Sequence, residues 1–279
     1  MVGAVLAGGA SRRMGRPKPL IDVDGVALAA RPIEALRRGG AEAVALVGGD
    51  PAWAAQLGTG RVADRWPGEG PLGGLASALL AADRRDGDDD EEGDEEANDG
   101  DREQHRAGGR SAQNLRRIGA DGAAEGVASP QNCHRIGADG PGSDRPDPDQ
   151  PDPDQPDPDQ PDPDQPDPDQ PDPDLIVVVA ACDQPDLTGG LVASLVAAVR
   201  AAPPTVAVAV PVTPDGRRHL FPSAWRATAA GELAALIERG SRRATDALSV
   251  ANAVEVPTGG TVLVDLDTPA DLASWHRRR

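Results

Sequence analysis

Apolar runs of strand length alternate along this chain with stretches of helical patterning, and that alternation constrains the fold more than any other feature. Val2–Leu6, Ala43–Val47, Leu175–Ala181 and Val206–Val212 are built from small, aliphatic and β-branched residues. Leu175–Ala181 is apolar throughout, as in a central parallel strand covered on both faces. Helical patterning runs from Leu28 to Arg38, where Gly39-Gly40 ends it. It returns at Gly70 to about Asp83, Leu187–Ala201, Gly231–Arg239 and Pro269–Arg278. Shorter strands are expected at Val62-Ala63, His219–Trp225 and Val262–Leu266, with a turn at Gly48-Gly49-Asp50-Pro51. Strands alternating with helices predict an α/β fold: a doubly wound, mostly parallel, Rossmann-like sheet with helices on both faces. Ligands of such sheets bind beyond the carboxyl ends of the strands, near a topological switch point.

One segment does not fit this pattern. Residues 84–174 hold 28 acids and 9 arginines, whereas the other 188 residues hold 18 acids and 19 bases. The net charge of −18 therefore belongs to this segment and carries no message about the ligand of the rest. Gln113–Gly122 recurs as Gln131–Gly140, and Pro-Asp-Pro-Asp-Gln repeats from Pro146 to Gln170. Such a stretch lacks the apolar area to offset its ordering entropy, and its Pro-Asp repeats favour extended conformations. A disordered insert over 84–174 is expected, a tandem expansion of a surface loop, because loop closure costs little more as a loop lengthens. Residues 1–83 and 175–279 then form one domain, long enough for a sizeable core.

The first strand opens into Ala7-Gly8-Gly9-Ala10-Ser11-Arg12-Arg13-Met14-Gly15-Arg16-Pro17-Lys18. Small residues let the backbone approach a ligand, whose phosphates its N–H groups can cradle. Three arginines and one lysine supply charge for a polyphosphate. The loop is neither a P-loop nor the G-x-G-x-x-G fingerprint. Three charged residues each follow an apolar run: Lys18 after the first, Asp64 after Val62-Ala63 and Asp183 after Leu175–Ala181. Asp183 suits Mg²⁺, a hard cation that binds few carboxylates and keeps phosphate oxygens and water as its other ligands.

Residues 6–18 match L-A-G-G-x-S-x-R-M-G-x-x-K at each fixed position, and this string resembles the molybdenum cofactor guanylyltransferase (MobA-type) family of nucleotidyltransferases. Cys182-Asp183-Gln184-Pro185 is similar to that family's C-D-x-P motif, whose Asp holds magnesium. Gly70-Pro71-Leu72-Gly73-Gly74 looks like its G-P-L-x-G loop, and Asp64 falls where the family places an acidic contact to the nucleoside. The resemblance implies a Mg²⁺-dependent transfer of GMP from GTP to the phosphate of molybdenum-molybdopterin, with pyrophosphate released. By it, Leu6, Ala7, Gly8, Gly9, Ser11, Lys18, Asp64, Gly70, Pro71, Leu72 and Asp183 bind the nucleotide. Arg13, Lys18 and Mg²⁺ on Asp183 stabilise the leaving pyrophosphate. No Ser-His-Asp or Cys-His constellation is required or evident.

The departures lie on the acceptor side and in nucleoside detail. The family's Asn after the second strand falls near Val47-Gly48. Its closing N-x-N-T-P-x-x-L segment reads Asp265-Leu266-Asp267-Thr268-Pro269-Ala270-Asp271-Leu272. Asp265 and Asp267 are either a second metal ligand and an orienting acceptor, or a sign of a different acceptor. His219 is a candidate contact to the pterin phosphate. Relatives acting on CTP carry L-A-A-G, and the second glycine here leaves room for guanine. Alternatives are a cytidylyltransferase, a transferase for another phosphorylated acceptor, and a non-catalytic scaffold acting through the acidic insert.

The two cysteines, Cys133 and Cys182, form no C-x-x-C and indicate neither zinc nor a disulfide framework. No signal peptide or membrane-length apolar stretch is seen, so a cytoplasmic protein is expected. Its expected partners are GTP, a molybdopterin-type acceptor and, transiently, other cofactor-synthesis proteins, with no nucleic acid and no membrane.

Overall fold

The computed structural model of the chain describes residues 1–8, 14–83, 172–261 and 263–278. The expected insert thus lies outside the described residues except at its end. There Asp174 N–H donates to Asp172 Oδ1 at 2.9 Å and Leu175 N–H to Asp172 O at 3.1 Å. That side-chain turn carries the chain into its central strand.

Seven strands form one sheet: β1 (Val2–Leu6), β4 (Ala43–Val47), β5 (Gly60–Val62), β6 (Ile176–Ala181), β7 (Val206–Val212), β8 (Ser223–Arg226) and β9 (Asn252–Pro257). Their order is β5-β4-β1-β6-β8-β7-β9. β5, β4, β1 and β6 pair in parallel, β8 runs against both β6 and β7, and β9 is parallel to β7. The chain builds outward from β1 to β4 and β5, then crosses back to place β6 on the other side of β1. The switch point of the sheet is therefore between β1 and its neighbours. A two-residue Asp24-Gly25 turn, with φ of 57° and 79°, joins a separate hairpin of β2 (Asp22–Val23) and β3 (Val26–Ala27). Positive φ at both positions matches the twist of a hairpin.

The period of two along each strand feeds two cores. Val2, Ala4 and Leu6 of β1 face one side, with Val177 and Val179 of β6. Helices α3 (Gly70–Asp83) and α5 (Ala230–Glu238) cover that side through Leu75, Leu79, Leu233 and Ile237. Val5 and Val178 face the other, under Ile33 and Leu36 of α1 (Ala30–Arg38) and Leu195 of α4 (Gly189–Ala201). Each fully buried Leu or Val here contributes about 1.5–3 kcal/mol of apolar burial. A smaller cluster of Ile21, Val23, Leu28, Leu266 and Trp275 fastens the hairpin to the closing helix α7 (Pro269–Arg277).

Several expected elements change. The strand expected at Val62-Ala63 ends at Val62. That at His219–Trp225 shrinks to Ser223–Arg226, beginning after Pro222, which has no N–H to donate. Pro51 starts a short helix, α2 (Pro51–Gln56), capped by Asp50, whose carboxylate accepts from Ala52 N–H at 2.8 Å. Of the expected strand Val262–Leu266, the described residues 263–266 are irregular, and Leu266 N–H is bound to Asp183 O at 3.0 Å. The missed strand is β9, an edge strand whose polar Asn252 and Glu255 hide its pattern. A four-residue helix, α6 (Ala247–Val250), precedes it. No helix among the described residues is long and apolar enough to cross a membrane.

Candidate active site

β4, β1 and β6 are hydrogen-bonded up to their carboxyl ends and slightly past them. Ala7 N–H donates to Val47 O at 3.0 Å, Cys182 N–H to Leu6 O at 3.1 Å and Gly48 N–H to Val62 O at 2.9 Å. What leaves these strands therefore emerges along one edge. Gly48, at φ 72°, presses on Gly8: a Cβ there would lie 3.5 Å from Gly8 N and Cα and from Asp64 Cβ. A Cβ on Gly8 would lie 3.7 Å from Asp64 Oδ2. The other oxygen, Asp64 Oδ1, accepts from Trp66 N–H at 3.0 Å and Ser77 Oγ at 3.2 Å, so the carboxylate is held beside the glycine.

Lys18 opens a single 3-10 turn (Lys18–Leu20) between two prolines. Its ammonium donates to Asp183 Oδ2 at 2.5 Å and to Asp267 Oδ1 at 2.6 Å. Lys18 and Asp183 side chains are largely buried, whereas Asp267 is exposed. One cation thus faces two carboxylates. Burial, together with the charges of Asp265 and Asp267, outweighs Lys18 and pushes the Asp183 carboxyl up. Burial pulls Lys18 down, but Asp183 and Asp267 more than offset it, so its pKa is raised. Burial, reinforced by the Asp183 charge, pushes the neighbouring Cys182 thiol up to about 12.

The segment carrying Asp265 and Asp267 is tied to the loop after β6 and to Lys18. Leu266 fills the small third core while its N–H binds Asp183 O. On one side Asp265 Oδ1 accepts from Gln184 Nε2 at 3.0 Å, and on the other Asp267 reaches Lys18. Thr268 and Asp271 then form a capping box that starts α7, and Trp275 Nε1–H donates to Asp186 Oδ2 at 2.8 Å. Gln184, 3% exposed, also donates from Nε2 to Phe221 O at 2.8 Å.

Asp183 Oδ1 is buried and has no hydrogen-bond partner among the described residues. An orphaned carboxylate oxygen beside further carboxylates fits a divalent cation, since burying an ion without compensation is costly. Among the described residues no three His, Cys, Asp or Glu side chains are grouped so as to hold a metal ion. A Mg²⁺ ion there would need waters and phosphate oxygens as its other ligands.

The remaining candidates are placed as follows. Leu6 ends β1 and is buried. Gly70, at φ 75°, begins α3, with Pro71 in its first turn. Leu72 is fully buried in the core, with neither side chain nor backbone open to a ligand. Gly73 and Gly74 let α3 press close: a Cβ would come within 2.9 Å of Trp66 O and 3.2 Å of Leu6 Cδ2, respectively. Gly9, Ser11 and Arg13 lie outside the described residues. His219 is not drawn into the carboxylate group: its backbone N–H binds Pro211 O at 3.0 Å beside β7. Sequence reasoning missed Gln184, whose only signal was its place between Asp183 and Pro185.

A family model described as "MobA-like NTP transferase domain" matches residues 3–90 and 169–253. A probable molybdenum cofactor guanylyltransferase of Opitutus terrae is 44% identical over 82 residues, covering 29% of this chain and 41% of that protein. A molybdenum cofactor guanylyltransferase of Xanthomonas euvesicatoria is 42% identical over 80 residues, 29% of this chain and 39% of that protein. The chain spans about two fifths of the length of the curated relatives it matches. In fold it is similar to molybdopterin-guanine dinucleotide biosynthesis protein A from Archaeoglobus fulgidus, with a TM-score of 0.53 and 16% identity over 100% of this chain and 98% of that one. It is also similar to 4-diphosphocytidyl-2C-methyl-D-erythritolsynthase from Anaerococcus prevotii, at 0.52 and 10% over 100% and 96%.

Proposed function

The chain belongs to the MobA-like NTP transferase family, and from that premise we propose that it transfers GMP from GTP to the phosphate of a molybdopterin-type acceptor. The observation that carries this reading is the meeting of Lys18 and Asp183, 165 residues apart, beyond the carboxyl ends of adjacent strands. The names of the two guanylyltransferase relatives support the choice of nucleotide and acceptor.

A phosphate oxygen of the acceptor attacks the α-phosphorus of GTP. The new P–O bond forms as the bond to pyrophosphate breaks, and no covalent enzyme intermediate is needed. Catalysis is then positioning and charge stabilisation. The backbone at Ala7-Gly8 approaches the nucleotide, and Asp64 offers Oδ2 to the nucleoside. Lys18 faces the leaving pyrophosphate. Asp183, with Asp265, would hold Mg²⁺, which would offset the negative charge on the phosphate oxygens. Asp267 keeps the Lys18 ammonium aimed at the same place.

The test is pyrophosphate release from GTP and from CTP, each with and without molybdopterin. Release with GTP and acceptor together is expected. Preference for CTP would reassign the nucleotide, and no release with either nucleotide would sink the reading. Asp183→Ala and Lys18→Ala are each expected to slow transfer by about 10²–10³-fold.

A further inference from the structure

Gln184 makes an unusual pair of bonds for a loop glutamine. Its one Nε2 spans two acceptors from distant parts of the chain, Asp265 Oδ1 at 3.0 Å and Phe221 O at 2.8 Å, 81 and 37 residues away. Both partners are acceptors, so the amide can face them only with its nitrogen. The residue is 3% exposed, and Oε1 on the far side has no hydrogen-bond partner among the described residues. A buried amide with one end unsatisfied costs free energy. A residue there only to fill space would do so better as Leu or Met. One of its bonds reaches the Asp265 carboxylate, next to Leu266, whose N–H binds Asp183 O, and two residues before Asp267, which binds Lys18. Asp265 is otherwise held by the backbone alone, through Leu266 N–H to Asp183 O.

We propose that Gln184 is a positioning residue that fixes the Asp265 carboxylate for the divalent cation. The inference rests on the reading that Asp183 and Asp265 hold that cation. With Oδ1 engaged by the amide, the Asp265 carboxylate is restrained and its other oxygen is left to serve as the ligand. Outer-shell hydrogen bonds of this kind change metal affinity by about 10–100-fold.

The test uses the full chain and Mn²⁺ alone, with free Mn²⁺ read by electron paramagnetic resonance, so it needs neither turnover nor acceptor. Gln184→Met keeps the length of the side chain and removes the donor. It is expected to weaken Mn²⁺ binding by about tenfold, as is Asp265→Asn. The Gln184→Met/Asp265→Asn double variant is expected to bind no more weakly than Asp265→Asn, because the two act through one ligand. Gln184→Glu, of equal volume but with an acceptor facing Asp265, is expected to weaken binding too. It carries the test if Gln184→Met fails to fold. Losses that multiply in the double variant, or wild-type affinity in either Gln184 variant, overturn the proposal. So does wild-type affinity in Asp265→Asn when Asp183→Asn loses the ion, a result that leaves the reading of the site standing. Wild-type affinity in Asp183→Asn overturns that reading and the proposal with it.

Discussion

Lys18 is the sole lysine of the chain, against 27 arginines. A composition this biased toward arginine leaves a lysine where arginine does not serve. An ammonium is a compact point charge and fits between Asp183 and Asp267, whereas a guanidinium is a planar fork. Lys18→Arg is therefore expected to restore little of what Lys18→Ala removes, with transfer still reduced by about 10²-fold or more in a pyrophosphate-release assay. Recovery to within a few-fold of wild type would show that charge alone suffices. Asp64 and Asp183 were legible in the sequence as charged residues just past an apolar run, and Lys18 as the end of the glycine-rich loop after the first strand. Gln184 was not, because its role depends on Phe221 and Asp265, and spacing along the chain does not say which loops will meet. Asp265 and Asp267 were legible as departures from the closing motif, but their contacts to Gln184 and Lys18 were not.

At the scale of elements, α7 orders the segment that carries those two carboxylates. Its capping box gives Thr268→Ala an expected cost of about 1 kcal/mol at neutral pH, measured by urea unfolding. The hydrogen bond from the Thr268 hydroxyl, at 2.8 Å, holds the Asp271 carboxyl below its usual range. A carboxyl lowered on folding contributes stability above its unfolded pKa of about 3.9, and that contribution is lost as pH falls through its folded value. The gap between wild type and Thr268→Ala should thus hold steady from pH 7 to about pH 5 and narrow below about pH 4. A gap constant down to pH 3 would remove Asp271 from the account. The contact of α1 with α4 makes a second case. A Cβ on Gly39 would lie 2.3 Å from Val192 Cγ1, so Gly39→Ala is expected to cost about 1–3 kcal/mol by the same measurement. The long helices were legible from periodicity. β9 was not, since an edge strand with polar residues lacks the apolar run that marks an interior one.

For the whole molecule, the parallel class of the sheet was legible, but the strand order was not. Nothing local tells β8 to run against its neighbours. The described core is drawn from both sides of the long acidic segment, and the family match also breaks there, between residues 90 and 169. Replacing residues 84–171 by about ten Gly/Ser residues should leave transfer within about twofold. It should raise stability by up to about 2 kcal/mol, since closure entropy falls with the logarithm of loop length. Lost transfer would give the segment a working part. Cys182 adds a consequence of its own. A thiol sealed behind the central strand, with its pKa at about 12, offers almost no thiolate at neutral pH. An alkylating reagent can mark it only when the strands part. The rate of labelling at Cys182, followed by peptide mass, is a stopwatch for how often the folded protein opens.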